Sequence, residues 1–338
     1  MITSTKKLPA LLTKAIKAGL VSMISGSPAI GKSDIVRQLA KKNKLKVIDL
    51  RLSQCDPVDL LGFPTIDKEN NKSSYVPMDT FPIKGDKIPD GYNGWLLFLD
   101  ELNSAPLSVQ SAAFKLVLDK QVGNNNTLHD KVFIIAAGNL ESDKGITSRL
   151  STPMQSRLVH FEVEVDNEAW LEWAEGLIDY RVIAYINFRP EALYMFDPNH
   201  SDKTFSSPRT WEFVSKITKG NTIDSEDLPL LCGCVGEAEG RQFYAFSQIF
   251  HELPTITQIT SNPEKLDIPV EPSTLYAISG LLAHNIDISN IENIMKYAMR
   301  MPIEFQIITL QNVIKKDTSL IRNDAVKDWV SVNAKNLF

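Results

Sequence analysis

Short runs of apolar residues alternate with amphipathic segments between about residue 20 and residue 165. Five runs predict strands, at residues 20–25, 46–52, 95–100, 131–138 and 159–165. The first four are almost entirely apolar, as in parallel strands covered on both faces, whereas the fifth alternates and predicts one face in water. Helical periodicity in residues 32–43 and 104–120 lies between strands. This alternation predicts an α/β core built on a parallel sheet.

Beyond residue 165 the strand patterns fade and amphipathic helices predominate. Helices are predicted to begin at Asp166 or Asn167 and at Ser207-Pro208, with others in residues 227–252, 272–284, 288–301 and 303–316. We therefore expect an α/β domain at 1–165, an all-helical domain at 166–253 and a helical extension at 254–338. An irregular stretch, about 54–94, interrupts the first domain as an insertion, and loops of this length are typically functional.

Composition narrows the class of protein. The chain has 338 residues, of which 43% are hydrophobic and 23% charged, a balance typical of globular proteins. The net charge of −5 gives no basic excess for a phosphate backbone, which disfavours nucleic acid as a partner. Three cysteines are too few for a disulfide framework, and we find neither a signal peptide nor an apolar run that spans a membrane. We therefore expect a cytoplasmic protein with no membrane partner.

The sequence GSPAIGKS follows the first predicted strand and opens a helix, which is the context of a phosphate-binding loop. Its glycines allow a tight turn whose N–H groups converge on phosphate, and the helix N-terminus adds its positive dipole end. The lysine is expected at the β- and γ-phosphates and the serine hydroxyl on Mg²⁺. The predicted nucleotide-binding residues are Gly26, Ser27, Pro28, Ala29, Ile30, Gly31, Lys32 and Ser33.

Polar residues at the ends of two later strands supply the other groups that hydrolysis needs. Asp100 ends WLLFLD and is expected to hold Mg²⁺ together with Ser33, while Glu101 orients and deprotonates the attacking water. Asn139 follows the next strand and helps to position the water, although alone it would pass for an ordinary turn asparagine. Arginines neutralise developing charge, and the candidates are Arg157, Arg149 and Arg209, each of which also fits a surface position.

These motifs, in this order, resemble those of AAA+ ATPases. Within that superfamily, residues 100–123 and DLLGFP at 59–64 resemble the MoxR family, and the similarity covers roughly residues 8–220. The resemblance implies an α/β P-loop NTPase (AAA+) core with a parallel sheet, followed by an all-helical lid domain and a C-terminal helical extension. The chain departs from the family at Ser104, where such proteins commonly carry arginine.

The same resemblance implies cofactors, roles and partners. ATP and Mg²⁺ are the implied cofactors, with Walker A at Lys32 and Ser33, Walker B at Asp100 and Glu101, and sensor 1 at Asn139. Arg157 would reach the ATP of a neighbouring subunit, and Arg209 would be sensor 2, which implies a homo-oligomeric ring, most often a hexamer. Family members remodel a protein client, often with a partner that carries a von Willebrand factor A domain.

Three functions stay open at this point. The first is ATP-driven remodelling or maturation of a protein, as in MoxR-like chaperone ATPases. The second is a nucleic-acid motor or loader of the AAA+ class, which would need a basic groove that the sequence does not display. The third is a non-hydrolysing, nucleotide-gated switch, which could dispense with Glu101 and Arg157. The insertion at 54–94 fits a client-binding segment and a solvated loop equally well.

Overall fold

The computed structural model describes residues 2–69, 72–123, 126–143 and 147–333. The chain forms two compact units, Met1–Asp166 with Asp197–Asn199, and Asn167–Phe196 with His200–Phe338. The predicted boundary at 253/254 between the lid domain and the extension stays a prediction.

Ten strands form one large sheet and two small hairpins among the described residues. They are β1 (Ile2–Ser4), β2 (Val21–Gly26), β3 (Leu45–Arg51), β4 (Phe63–Asp67), β5 (Lys72–Val76), β6 (Gly94–Asp100), β7 (Gln121–Val122), β8 (Asn126–Thr127), β9 (Val132–Gly138) and β10 (Leu158–Glu164).

The large sheet has six parallel strands in the order β1-β10-β2-β9-β6-β3. All five predicted strands are confirmed, with ends that shift by a residue. In the register, Ser25 faces Gly138 across β2 and β9, and Asp100 faces Arg51 across β6 and β3. The carboxyl ends of these strands therefore meet at one edge of the sheet, where open α/β sheets bind ligands.

Both faces of β2, β6 and β9 are covered, which explains their continuous apolar runs. The same prediction is wrong for β3, which lies at the edge of the sheet and exposes Lys46, Asp49 and Arg51. All seven residues of β6 are buried. Leu97 and Leu99 belong to a core cluster that includes Leu116 of helix α4 (Leu107–Asp119), whereas the alternate residues Leu96 and Phe98 are buried on the opposite face. Strand β10, which pairs with β1 on one side and β2 on the other, exposes His160, Glu162 and Glu164, in agreement with its predicted wet face.

Fifteen α-helices lie in the described part of the chain, five of them in the first unit. These five are α1 (Leu8–Lys17), α2 (Lys32–Lys42), α3 (Pro57–Leu61), α4 and α5 (Thr152–Gln155). The second unit holds α6 (Asn167–Ala174), α7 (Tyr180–Phe188), α8 (Pro208–Thr218), α9 (Leu228–Val235), α10 (Glu237–Glu252), α11 (Ile256–Ser261), α12 (Pro272–Asn285), α13 (Ile291–Ala298), α14 (Ile303–Lys316) and α15 (Asp324–Asn333). In the described ranges no helix is both long and apolar enough to cross a bilayer.

The structure corrects two helix predictions. The single helix predicted at 227–252 is two helices, α9 and α10, which separate at Gly236, where φ is +94°. Residues with a side chain rarely adopt this backbone conformation, whereas glycine does, so the helix is broken at Gly236. The helix predicted from residue 104 begins at Leu107, after a 3₁₀ turn at Leu102–Ser104 and Pro106 at the cap position.

The insertion is more ordered than the sequence predicts. It contains α3 and the antiparallel hairpin β4–β5, in which Phe63 faces Val76. Gly62 begins the hairpin with φ +88°, and a Cβ there would lie 2.2 Å from the carbonyl oxygen of Val76, so this position requires glycine. The second hairpin, β7–β8, includes Asn126; Asn124, Asn125, Asn70 and Asn71 lie outside the described residues.

Candidate nucleotide site

Residues 26–33 form a loop between the carboxyl end of β2 and the first turn of α2. Ala29 and Gly31 both have positive φ, +62° and +92°, which produces the tight turn that the motif predicts. Gly26 is required for a different reason, because a Cβ there would lie 2.7 Å from the backbone oxygen of Val163 on β10. The first glycine thus allows close strand packing and the second allows the left-handed turn.

Lys32 is buried, with 8% of its surface exposed, and its ammonium lies against the loop. Nζ donates hydrogen bonds to the backbone oxygens of Gly26 at 2.6 Å and Ser27 at 2.8 Å. It also donates to Oδ1 of Asn139 at 3.1 Å, which joins the loop to the end of β9. The ammonium therefore lies within the turn of the loop, where it is well placed for an anion.

Ser33 and Asp100 meet at the same sheet edge. Ser33 Oγ donates to Asp100 Oδ2 at 3.0 Å, and Asp100 Oδ1 accepts the backbone N–H of Glu101 at 2.9 Å. A hydroxyl and a carboxylate are the hard oxygen donors that Mg²⁺ takes. Among the described residues no three His, Cys, Asp or Glu side chains cluster as a metal cage. The pair therefore fits Mg²⁺ completed by phosphate and water oxygens, as in nucleotide sites.

Glu101 has a strained backbone, with φ +56° and ψ +35° in the left-handed region. Such strain at a non-glycine residue concentrates at functional sites. Its carboxylate accepts a hydrogen bond from Ser53 Oγ, and Arg51 Nε lies 3.7 Å from its other oxygen. Both partners come from the end of β3, about fifty residues earlier in the chain, and no local pattern in the sequence pointed to them.

Asn139 is held by a second buried asparagine, Asn103, which the sequence reasoning missed. Asn103 Nδ2 donates to the backbone oxygen of Asn139 at 2.8 Å, and its Oδ1 accepts the Asn139 N–H at 3.2 Å. The signal that could have found it is an amide side chain two residues after Glu101, at the same strand end.

A carboxylate also contacts the loop. Ser27 Oγ donates to Asp143 Oδ1 at 3.2 Å, and within the described residues Asp143 Oδ2 is buried without a hydrogen-bond partner. Asp143 follows Asn139 by four residues, so this contact ties the strand-end segment of β9 to the phosphate loop. The sequence analysis did not select it.

Within the first unit, the structure does not bring Arg149 or Arg157 to this cluster. Arg157 is exposed; Nη1 donates to the Pro153 oxygen at 3.0 Å, and the guanidinium carbon lies 5.9 Å from the Phe114 ring centroid. Arg149 is exposed as well. Arg209 belongs to α8 of the second unit, which begins at the predicted Ser207 cap, and it is exposed there. The roles of all three stay predictions.

No protein-family model matches the chain, and no curated protein sequence matches it. Among solved structures, a candidate ATPase from Cytophaga hutchinsonii is similar, with 16% identity over 98% of this chain and 88% of that one, at a TM-score of 0.36. NtrX from Brucella abortus is similar at 14% identity in its complexes with ADP and with ATP. The aligned regions cover 97% and 98% of this chain, 67% of the NtrX chain in both, and the TM-score is 0.40 in both.

The parallel sheet carries a phosphate loop after β2, an acidic pair after β6 and an asparagine after β9, all at one edge, and a helical part follows. This geometry is that of an α/β P-loop NTPase fold.

Proposed function

We propose that this protein is a Mg²⁺-dependent ATPase. The observation that carries the proposal is the contact between Ser33 and Asp100 at the sheet edge where Lys32 meets Asn139. A hydroxyl, a carboxylate, a buried ammonium and an amide converge there from three different strand ends. Phosphoryl transfer needs this combination, because its catalysis consists of positioning and charge stabilisation.

Each side chain then has one task. Lys32 binds the β- and γ-phosphates, and the N–H groups of the loop surround them. Ser33 and Asp100 hold Mg²⁺, which when bound neutralises charge on the phosphate oxygens. Asn139 orients the attacking water, and Glu101 accepts its proton. The left-handed backbone of Glu101 supports this role, since strain at a non-glycine residue concentrates at functional sites.

We further propose that the active form is a homo-oligomeric ring, with a hexamer as the expected state. Arg157 is exposed and donates to a backbone oxygen of its own segment, which leaves its guanidinium accessible to a neighbouring subunit. In this proposal Arg157 stabilises charge on the neighbour's ATP, and Arg209 acts as the sensor of the helical part. Both roles follow the resemblance to the MoxR family of AAA+ ATPases.

The ring's client is proposed to be a protein, with a partner that carries a von Willebrand factor A domain. The hairpin β4–β5 supports a client-binding role for the insertion, because Phe63, Ile66 and Val76 are 55%, 77% and 51% exposed. Phe63 and Val76 are cross-strand partners, and neighbouring exposed apolar side chains of this kind are typical of protein interaction sites. The net charge of −5 supports a protein client rather than nucleic acid. The three free cysteines support a cytoplasmic location of this protein.

Two variants and one control test the nucleotide site. Lys32→Ala should lose ATP binding, whereas Lys41→Ala, which removes a lysine from the last turn of the same helix, should bind as the wild type does. Binding is measured by titration with a fluorescent ATP analogue in Mg²⁺. Equal affinity of wild type and Lys32→Ala would contradict the proposed site.

The client is tested with Glu101→Gln as a trap. This variant should hold ATP and its client, and captured species are compared with those on Lys32→Ala by mass spectrometry and nuclease-sensitive staining. Proteins enriched only on the trap support remodelling of a protein. Nuclease-sensitive material alone would favour a nucleic-acid motor. If the wild-type protein binds ATP but does not hydrolyse it, the result would favour a nucleotide-gated switch.

A further inference from the structure

Asn103 lies at the centre of a buried hydrogen-bond network beside the nucleotide site. Only 6% of its surface is exposed. Its amide forms two hydrogen bonds with the backbone of Asn139, one as donor and one as acceptor, so that the asparagine fixes both polar groups of that residue. Its own backbone oxygen accepts the N–H of Ser148 at 2.7 Å and lies 3.3 Å from the Ser148 hydroxyl.

Ser148 extends the network toward the segment that carries the candidate arginines. Gln110 on α4 is 7% exposed, and its Nε2 donates to Ser148 Oγ at 2.7 Å and to the Ala105 oxygen at 3.0 Å. Arg149 follows Ser148 directly. Residues 148–157, which carry Arg149 and Arg157, are called the arginine segment here. The end of β9 and the beginning of the arginine segment are therefore held by the same buried hydrogen-bond network.

Gly138 packs directly against the Asn103 amide. A Cβ on Gly138 would lie 2.2 Å from Asn103 Oδ1 and 2.7 Å from Met23 Cε. The Met23 methyl group is the end of a flexible side chain, but the Asn103 amide is fixed by hydrogen bonds at both of its atoms. Any side chain at residue 138 would thus expel the Asn103 amide from its position on Asn139.

We propose that Asn103 is a positioning residue for hydrolysis. It fixes the backbone of Asn139 so that Asn139 Oδ1 stays at Lys32 Nζ, and through Ser148 it couples this amide to the arginine segment. The inference rests on the proposed ATPase function. ATP binding needs the loop and Lys32, whereas turnover needs Asn139 correctly oriented, so the loss of Asn103 should act on kcat rather than on affinity.

Kinetics of three variants test the proposal. Asn103→Ala should lower kcat about tenfold to a hundredfold, since small misplacements of a catalytic group have effects of that size, and should change the Kd of ATP less than about threefold. Gly138→Ala should reproduce this result. The double variant should be no worse than either single variant, because both remove the same contact. Additive losses in the double variant would overturn the assignment.

Asn103→Asp gives a readout that a purely structural role would not move. A protonated aspartic acid can donate to the Asn139 oxygen as the amide does, whereas the carboxylate cannot. Burial at this position should raise the pKa of the introduced carboxyl group, so activity of this variant relative to wild type should rise as the pH falls from 8 to 6. A constant ratio across this range would contradict the proposal.

Asn290→Ala is the matched control. Asn290 forms the same pair of bonds, from Nδ2 to the Asn285 oxygen at 2.9 Å and from the Asp287 N–H to Oδ1 at 2.8 Å, in the helical unit. Its loss should lower the melting temperature without a selective fall in kcat. Normal kcat in Asn103→Ala, with an active wild type, refutes the positioning role and leaves the ATPase proposal intact.

Hydrogen exchange distinguishes a failure of the ATPase proposal from a failure of the positioning role of Asn103. In Asn103→Ala the amide of Asn139 loses its acceptor, so a peptide that covers residues 133–142 should exchange faster than in wild type while the β6 peptide stays protected. If wild type shows no turnover, the ATPase proposal fails, and this exchange still tests the positioning. Unchanged exchange would overturn it.

Discussion

Loss of the Ser53 hydroxyl should accelerate hydrolysis. Ser53 Oγ donates to one oxygen of the Glu101 carboxylate, and Arg51 approaches the other at 3.7 Å. A carboxylate that accepts a hydrogen bond is a weaker base than a free one, and the bond also restrains its orientation. We therefore expect the contact between Ser53 and Glu101 to hinder proton transfer from water to the glutamate, and Ser53→Ala removes this contact.

The size of the gain follows from the hydrogen bond. A hydrogen bond to a charged group contributes about 1.5–3 kcal/mol, and the Glu101 side chain is 35% exposed, so we take the lower end of that range. At about 1.4 kcal/mol per factor of ten, about 1.5 kcal/mol corresponds to an increase in kcat of roughly tenfold. The Arg51 contact remains in this variant. It reduces the gain only slightly, because the Arg51 side chain is half exposed and its attraction to Glu101 is screened by solvent.

Phosphate release at saturating Mg-ATP measures the effect. Ser111→Ala is the matched control, because its exposed hydroxyl donates to the Leu107 oxygen on α4, away from Glu101. The combination of Ser53→Ala with Glu101→Gln should return to background turnover, since the gain acts through the glutamate. A fall in kcat for Ser53→Ala alone would refute the reasoning and would make Ser53 a residue that supports Glu101.

Three further predictions concern charge and stability. Arg157→Ala should retain ATP binding and lose turnover, and addition of a Lys32→Ala subunit, whose Arg157 is intact, should restore part of it in mixed rings; retained turnover in Arg157→Ala alone would refute the role in trans. Asp179 and Arg181 form a buried ion pair at 2.7 Å, so Asp179→Ala should lower the free energy of unfolding by about 3–5 kcal/mol in urea titrations, and a change below about 1 kcal/mol would contradict this. Burial, and then Lys316, lower the pKa of His284 below 6.5, so the folded state binds fewer protons than the unfolded state; the resulting stability is complete above pH 6.5 and is lost as the pH falls through the lowered pKa. His284→Gln should flatten melting temperatures between pH 7 and pH 5, and an unchanged slope would show that other groups produce it.

The sequence predicted those parts of the fold and site that depend on neighbouring residues. Continuous apolar runs identified β2, β6 and β9, because both faces of these strands are buried, whereas β3 was found although it lies at the sheet edge and is partly exposed. The phosphate loop and the Asp100-Glu101 pair were recognised from their own residues and the strand before each. Topology then brings them together, since parallel strands end at one edge.

Features that depend on distant residues could not be predicted in this way. Ser53 meets Glu101, and Asn103 meets Asn139, only after β3, β6 and β9 align in the sheet. Strand β1 has three residues, too few for a period, and the hairpin β4–β5 depends on the close approach of Gly62 to Val76. The helix break at Gly236 was missed because apolar periodicity continues on both sides of it.

The most direct test of the central claim is single-turnover hydrolysis of radiolabelled ATP by wild type and by Glu101→Gln, each with Mg²⁺ and with the metal removed by a chelator. We predict that wild type converts bound ATP to ADP only with Mg²⁺, and that Glu101→Gln binds ATP with similar affinity but retains it unhydrolysed. Hydrolysis by Glu101→Gln at the wild-type rate, or turnover by wild type without a divalent metal, would contradict the account.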